Sequence, residues 1–181
     1  MYQLIRALAA PTVIAFVFLM SASFEVFAAP QRAQSGVVTR VVDGDTLWVK
    51  TNSSPQPLKV RLHGMDAPEI CQTGGPQARA ALENRVLGQR VTLTLRAQDD
   101  YGRTVATVYL QGQDINRWMV ASGHAWVYAY RGKKDAYADE FDQAQAARRG
   151  IFSEAQAQEP RAFRNSRGSC YVPSYKKSGV F

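Results

Sequence analysis

Asp43, Asp45, Asp66 and Glu69 fall at turns or strand ends of a chain with 22 Lys and Arg against 15 Asp and Glu. Carboxylates converging from separate loops make an oxygen-rich site suited to a hard cation such as Ca²⁺ or Mg²⁺. Taken alone, Asp43-Gly44-Asp45 reads first as a turn, because Asp beside Gly is common for local hydrogen-bonding reasons. Its continuation, Thr46-Leu47-Trp48, excludes a twelve-residue EF-hand loop. Arg61 and Arg103 bring a second chemistry. A guanidinium offers paired planar donors matched to a phosphate, and two of them beside a metal could hold a phosphodiester. Singly each is ordinary: Arg61 alternates with Val60 and Leu62 and so points outward, and Arg103 follows a Tyr101-Gly102 turn. His63 and His124 have no partner at metal-ligand spacing, and no serine–histidine arrangement stands out.

The elements that would carry these residues are legible from patterning. Gly36 to Val42 is β-branched and meets Thr46 to Lys50 across the Asp43-Gly44-Asp45 turn, which predicts a hairpin. Leu58 to His63 alternates and adds a third strand. Pro76 suits a first helical position, and Ala78, Ala81, Leu82, Val86 and Leu87 follow at near-helical spacing before Gly88. Val91–Leu95 and Thr104–Leu110 alternate again as strands. Asp114 can cap a helix running to Ser122, with Gly123 after it, and Asp135 can start another ending near Gly150. Five short strands, an inserted helix and two trailing helices predict an α+β fold, a five-stranded OB-type Greek-key β-barrel with about three α-helices.

Three motifs then stand in register with that order: Asp43-Gly-Asp-Thr46, Arg61-Leu-His-Gly-Met-Asp-Ala-Pro-Glu69, and Tyr101-Gly-Arg103. Together they resemble the thermonuclease, or staphylococcal-nuclease-like, family, from about Val37 to Ser153, where Gly150-Ile-Phe-Ser153 is similar to the family's closing Leu-Trp-Ser. The resemblance implies that Asp45 and Asp66 ligate Ca²⁺, with the main-chain carbonyl of Ala67 as third protein ligand and Asp43 behind them. Ala67 stands where threonine is common in the family, so no hydroxyl is available there. Glu69 matches the general base, Arg61 and Arg103 the phosphate-binding arginines, and Tyr101 a substrate-contacting tyrosine. Tyr128 and Tyr130 fall near the family's base-stacking tyrosines, although packing explains aromatics there as well. The loop from Ile70 to Gly75 is shorter and less lysine-rich than in familiar members, and Asp100 replaces a familiar lysine.

The implied activity is Ca²⁺-dependent hydrolysis of DNA and RNA phosphodiesters with low sequence specificity, leaving 3′-phosphates. Single-stranded or frayed regions should be better substrates, because unstacked bases stack on aromatics. The competing expectation is a non-catalytic OB module binding single strands. Retention of Asp45, Arg61, Asp66, Glu69 and Arg103 argues for hydrolysis, since a water-activating carboxylate beside bound phosphate only repels in a binder.

The 181 residues suit one domain with tails, and the formal net charge of +7 suits a polyanionic partner. Arg6 and the apolar run Ala7 to Met20 precede Val26-Phe-Ala28, the pattern of a signal peptide over residues 1–28. An exported, secreted or periplasmic monomer follows, with an uncleaved membrane anchor as the alternative. Residues 29–35 read as a linker, 36–153 as the domain, and 154–181 as a loop and basic tail. From Arg161 onward that tail carries Arg161, Arg164, Arg167, Lys176 and Lys177 and no acid. In an exported chain Cys71 and Cys170 could pair, pinning the tail's arginines beside the site; free thiols or intermolecular pairing are the other arrangements.

Overall fold

The computed structural model describes residues 33–128, 136–155 and 157–170. Alternating apolar residues build the barrel strands β1 (Ala33–Val41), β2 (Thr46–Thr51) and β3 (Leu58–Leu62), followed by the two-residue β4 (Met65–Asp66). After helix α1 (Gly75–Val86) come β5 (Arg90–Gln98), β6 (Thr104–Leu110) and the short β7 (Gln113–Asp114). Helix α2 (Ile115–Ala121), β8 (Trp126–Val127), α3 (Ala138–Ala146), a 3₁₀ turn at Gly150–Ser153 and α4 (Pro160–Arg167) complete the order.

The sheet order β3-β2-β1-β5-β6 is antiparallel throughout, and a parallel pairing of β3 with β6 closes it into a five-stranded barrel of OB type. Irregular registers between Val38 and Arg40 in β1 and between Leu95 and Ala97 in β5 bend the strands as closure requires. Leu47, Val49, Val60, Leu62, Leu93, Ala106 and Val108 fill the interior. Helix α1 adds Ala78, Leu82 and Val86, and α2 adds Ile115, Met119 and Val120. Each fully buried aliphatic side chain is worth about 1.5–3 kcal/mol, so the core dominates the fold's stability. Asn116, fully buried on α2, accepts from Val108 N (3.0 Å) and donates to the His63 and Ala106 carbonyls (3.0 and 3.1 Å), tying α2 to β6 and to the end of β3.

Several features differ from the patterning. The third helix occupies only Ala138–Ala146, and the Asp135 start lies outside the described residues. The segment after Ser153 is not all loop: it contains α4, a fourth helix. Strand β1 begins at Ala33 and pairs with β5 from there, because that stretch finds a partner edge that no local pattern announces. The pair β4–β8, Met65 to Val127 and Asp66 to Trp126, is too short to have a period. Residues 1–28 lie outside the described residues; among those described, no helix is long and apolar enough to cross a membrane.

Candidate active site

At one rim of the barrel the turn between β1 and β2 packs tightly. A Cβ on Gly44 would lie 2.6 Å from Ala67 Cβ and 2.8 Å from Ala78 Cβ, so only glycine lets this turn sit against α1 and the segment after β4. That packing brings Asp45 to Asp66. Asp45 Oδ2 accepts the Ala67 amide at 3.0 Å, Oδ1 accepts the Thr46 hydroxyl at 3.0 Å, and the Asp45 carbonyl accepts the Leu62 amide at 2.8 Å. Both carboxylates are almost wholly buried, Asp45 at 3% and Asp66 at 2% exposure, which demands compensation.

Arg61 supplies it from β3. Its Nη1 pairs with Asp45 Oδ1, and its Nη2 meets Asp66 Oδ1 at 2.7 Å and the Met65 carbonyl at 3.2 Å. Burial works against every charge here, but Asp45 and Asp66 hold Arg61 above the ordinary guanidinium range. Burial likewise pushes Asp45 up, yet Arg61 and then the Ala67 amide outweigh it and keep the carboxylate below its usual value. Asp43 behaves oppositely: burial, then the neighbouring Asp45 charge, push it up to about 7. It stands behind the pair, its Oδ1 accepting the Asp45 amide at 3.0 Å.

Arg103 reaches the same rim from the turn that leads into β6. Asp99 holds it, accepting Nε at 2.6 Å and the Arg103 amide at 2.8 Å, while Nη1 approaches the Thr46 hydroxyl at 3.4 Å. Tyr101 is 83% exposed, with the Arg103 guanidinium 5.3 Å from its ring centroid. Glu69 is half-buried on the loop after β4; its amide donates to Gln72 Oε1 at 3.2 Å. Tyr128 is exposed with its amide on the Gly64 carbonyl, while Tyr130 lies outside the described residues. Trp126 packs edge-to-face on Phe152 at 5.1 Å, in the body of the domain.

Two participants escape motif reading. Asp99 looks like a turn former, and Arg164 of α4 looks like one basic residue among many. Arg164 pairs with Asp66 at 2.7 Å and with Glu69 at 3.1 Å. Cys71 and Cys170 form a disulfide, with Cα atoms 5.9 Å apart. This covalent tie is the pairing by which the sequence puts the tail's arginines beside the site, without singling out Arg164.

The donor set suits a hard cation. Two buried carboxylates share one guanidinium, so both face the same positive position, and carboxylate oxygens are the ligands a hard cation prefers. Among the described residues no group of three or more Asp, Glu, His or Cys is arranged around one point, so a cation would draw its further ligands from the backbone and water.

A model of the staphylococcal nuclease homologue family matches residues 59–154. A micrococcal nuclease of Shigella flexneri is 39% identical over 142 residues, covering 72% of this chain and 80% of its own length. Protein ParB of Escherichia coli is 35% identical over 175 residues, covering 90% and 92%. An uncharacterized endonuclease of Haemophilus influenzae is 36% identical over 127 residues, covering 70% and 71%.

Proposed function

We propose, for a chain that belongs to the staphylococcal nuclease homologue family and is a phosphodiester-hydrolysing nuclease, an exported monomer that needs Ca²⁺ and cuts DNA and RNA with little sequence preference. The observation that carries this reading is the single network in which Arg61 joins Asp45 to Asp66 while Glu69 stands at the same rim.

A phosphodiester anion resists attack, so hydrolysis needs charge neutralisation and an aligned water. Held by Asp45, Asp66 and the Ala67 carbonyl, Ca²⁺ would supply Lewis acidity to the phosphoryl oxygen. Glu69, partly open to solvent, takes the proton from the attacking water at its carboxylate. Arg61 and Arg103 hold the charge that grows on the equatorial oxygens. Asp99 aims Arg103 so that its guanidinium need not be ordered during the reaction. Departure of the 5′ oxygen leaves a 3′-phosphate. Tyr101, exposed beside Arg103, and Tyr128 offer faces on which an unstacked base can lie. Export is supported by the apolar segment at Ala7 to Met20 and by the Cys71–Cys170 disulfide, which suits an oxidising compartment.

The test is purified protein on single-stranded DNA and RNA with millimolar Ca²⁺, beside a chelator arm and a Glu69→Gln arm. Cleavage should stop with chelator and fall about 10²–10⁴-fold in the variant. Binding without cutting would overturn hydrolysis, and chelator-resistant cutting would overturn the metal requirement. Mass spectrometry of the ends reads the phosphate position.

A further inference from the structure

The C-terminal helix places a guanidinium on the very carboxylates assigned to the reaction. Arg164 Nη2 donates to Asp66 Oδ2 at 2.7 Å and Nη1 to Asp66 Oδ1 at 3.2 Å, so it grips Asp66 with both nitrogens. The same Nη1 donates to Glu69 Oε1 at 3.1 Å. Among the described residues it is the side chain that hydrogen-bonds the Glu69 carboxylate. Hydrogen bonding to Asp66 outweighs partial burial and holds Arg164 above its ordinary value, so it stays charged.

Arg164 is held there by ties to the residues that directly follow Glu69. Cys71 is bonded to Cys170 beyond the C-terminal end of α4, and its amide donates to Cys170 Sγ at 3.0 Å. Before the helix, Gln72 Nε2 donates to the Gln158 carbonyl at 2.6 Å, while Gln72 Oε1 accepts the Glu69 amide. Pro160 and Phe163 are buried, which seats the helix between the two ties. Three residues of the stretch Glu69–Gln72 therefore hold α4: Gln72 just before its start, Glu69 at Arg164 within it, and Cys71 just past its end.

We propose that Arg164 is a positioning residue of the hydrolytic site, fixing the Glu69 carboxylate relative to Asp66, and that α4 with its two ties is the device that holds it there. The inference rests on the nuclease reading. Asp66 and Glu69 are like charges, and a shared guanidinium cancels their repulsion while limiting where Glu69 can point. A chain lacking Arg164 still folds its barrel and still binds a strand, but its base samples unproductive positions.

The experiment measures kcat and KM on single-stranded DNA for the full disulfide-intact chain and for R164Q, R164K, E69Q, R164Q/E69Q and C71S/C170S, with Tm for each and Ca²⁺ affinity by titration calorimetry. R164Q should lower kcat by about tenfold to a hundredfold, as misplaced catalytic groups do, with KM and Tm little changed. R164K should recover part of the rate. On the E69Q background the R164Q loss should largely vanish, because both changes disable one unit. The double serine variant should lower kcat in the same sense. Loss of R164Q activity through KM alone would make Arg164 a substrate contact, and equal losses with and without Glu69 would make it act elsewhere; either overturns the proposal. So would a rise in kcat with tighter Ca²⁺ binding, which would make Arg164 a competitor of the cation. A wild-type chain that does not cut overturns the nuclease reading and this role with it, whereas R164Q cutting like wild type overturns only this role.

Discussion

Gly75→Ala should disable catalysis far more than it destabilises the fold. Gly75 opens α1 directly behind the Glu69 loop, which closes through Gln72 N on the Glu69 carbonyl (2.8 Å) and Gly75 N on the Gln72 carbonyl (2.9 Å). A Cβ there would lie 1.9 Å from the Glu69 carbonyl oxygen, 2.8 Å from its carbon and 3.0 Å from Ile70 Cα. All three are backbone atoms, so no side chain can swing aside and the loop must retreat by about 1 Å. Overpacking costs about 1–3 kcal/mol, and the better helix propensity of alanine returns about 0.5–1 kcal/mol. The net loss, at most about 2.5 kcal/mol, should lower Tm by only a few degrees in a chain of this size. A displacement of about 1 Å at a catalytic group can cost 10²-fold in rate. The assay is kcat on single-stranded DNA well below Tm, with Gly36→Ala as control. There a Cβ would meet Lys50 O and Val49 Cγ1 at 2.5 Å, in β1 against β2, so Tm should fall while kcat holds within about threefold. A Gly75→Ala chain with wild-type kcat would refute the claim that this contact positions a base at Glu69.

Asn116→Ala should cost about 2–5 kcal/mol in urea unfolding, because it strands the Val108 amide and the His63 carbonyl, while the Ala106 carbonyl keeps the His63 amide at 2.9 Å; a loss under about 1 kcal/mol would show those groups re-paired. Asp99→Ala should reduce kcat/KM by about tenfold, the worth of one charge-assisted hydrogen bond to Arg103, with Tm little changed; unaltered kinetics would remove Arg103 from the mechanism. Burial lowers the His124 pKa, and burial followed by Arg96 lowers that of His63. The unfolded chain therefore takes these protons first, so the stability they contribute is complete above about pH 6.5 and is lost as pH falls toward the folded values. Tm should decline from pH 7 to 5, and His124→Phe should flatten that decline; an equally steep fall in the variant would assign it to other groups.

What was legible in the sequence follows from the range of the interactions. Asp114 capping α2 is a contact within one turn, its side chain accepting the Arg117 amide at 2.9 Å, and local chemistry reads directly from residue type. Barrel strands and α1 are long enough to carry a period. The short β4–β8 pairing and α4 are not: Pro160 and Phe163 are the buried residues of an eight-residue helix whose other members are mostly polar. Within the site, motif spacing marks Asp45, Arg61, Asp66, Glu69 and Arg103 as one set, and the structure brings Arg61 onto Asp45 and Asp66 and Arg103 near Thr46. The partner of Glu69 is not so marked, because Arg164 lies 95 residues away and differs in no local respect from Arg161 or Arg167. Pairing the two cysteines brought the tail's arginines to the site as a group; only the helix phase of α4 selects among them.

The charge arrangement explains why these ties must be long-range. Asp45, Asp66 and Glu69 would repel a phosphodiester if left bare, however basic the rest of the chain. Each is met by an arginine from another segment: Arg61 from β3 and Arg164 from α4, with Arg103, from the turn before β6, standing by through Thr46. Setting aside Asp43, which burial and the Asp45 charge push up to about 7, three carboxylates face two committed guanidinium groups, because Asp99 already occupies Arg103. Those groups leave one negative charge over at the rim, which suits a cation there. Buried ion pairs of this kind return little net stability and become costly when one partner is removed. A site built from them needs support that does not depend on its own energetics. The core around Leu47 and Leu62, the Asn116 bridge and the Cys71–Cys170 bond provide that support from outside the charged cluster.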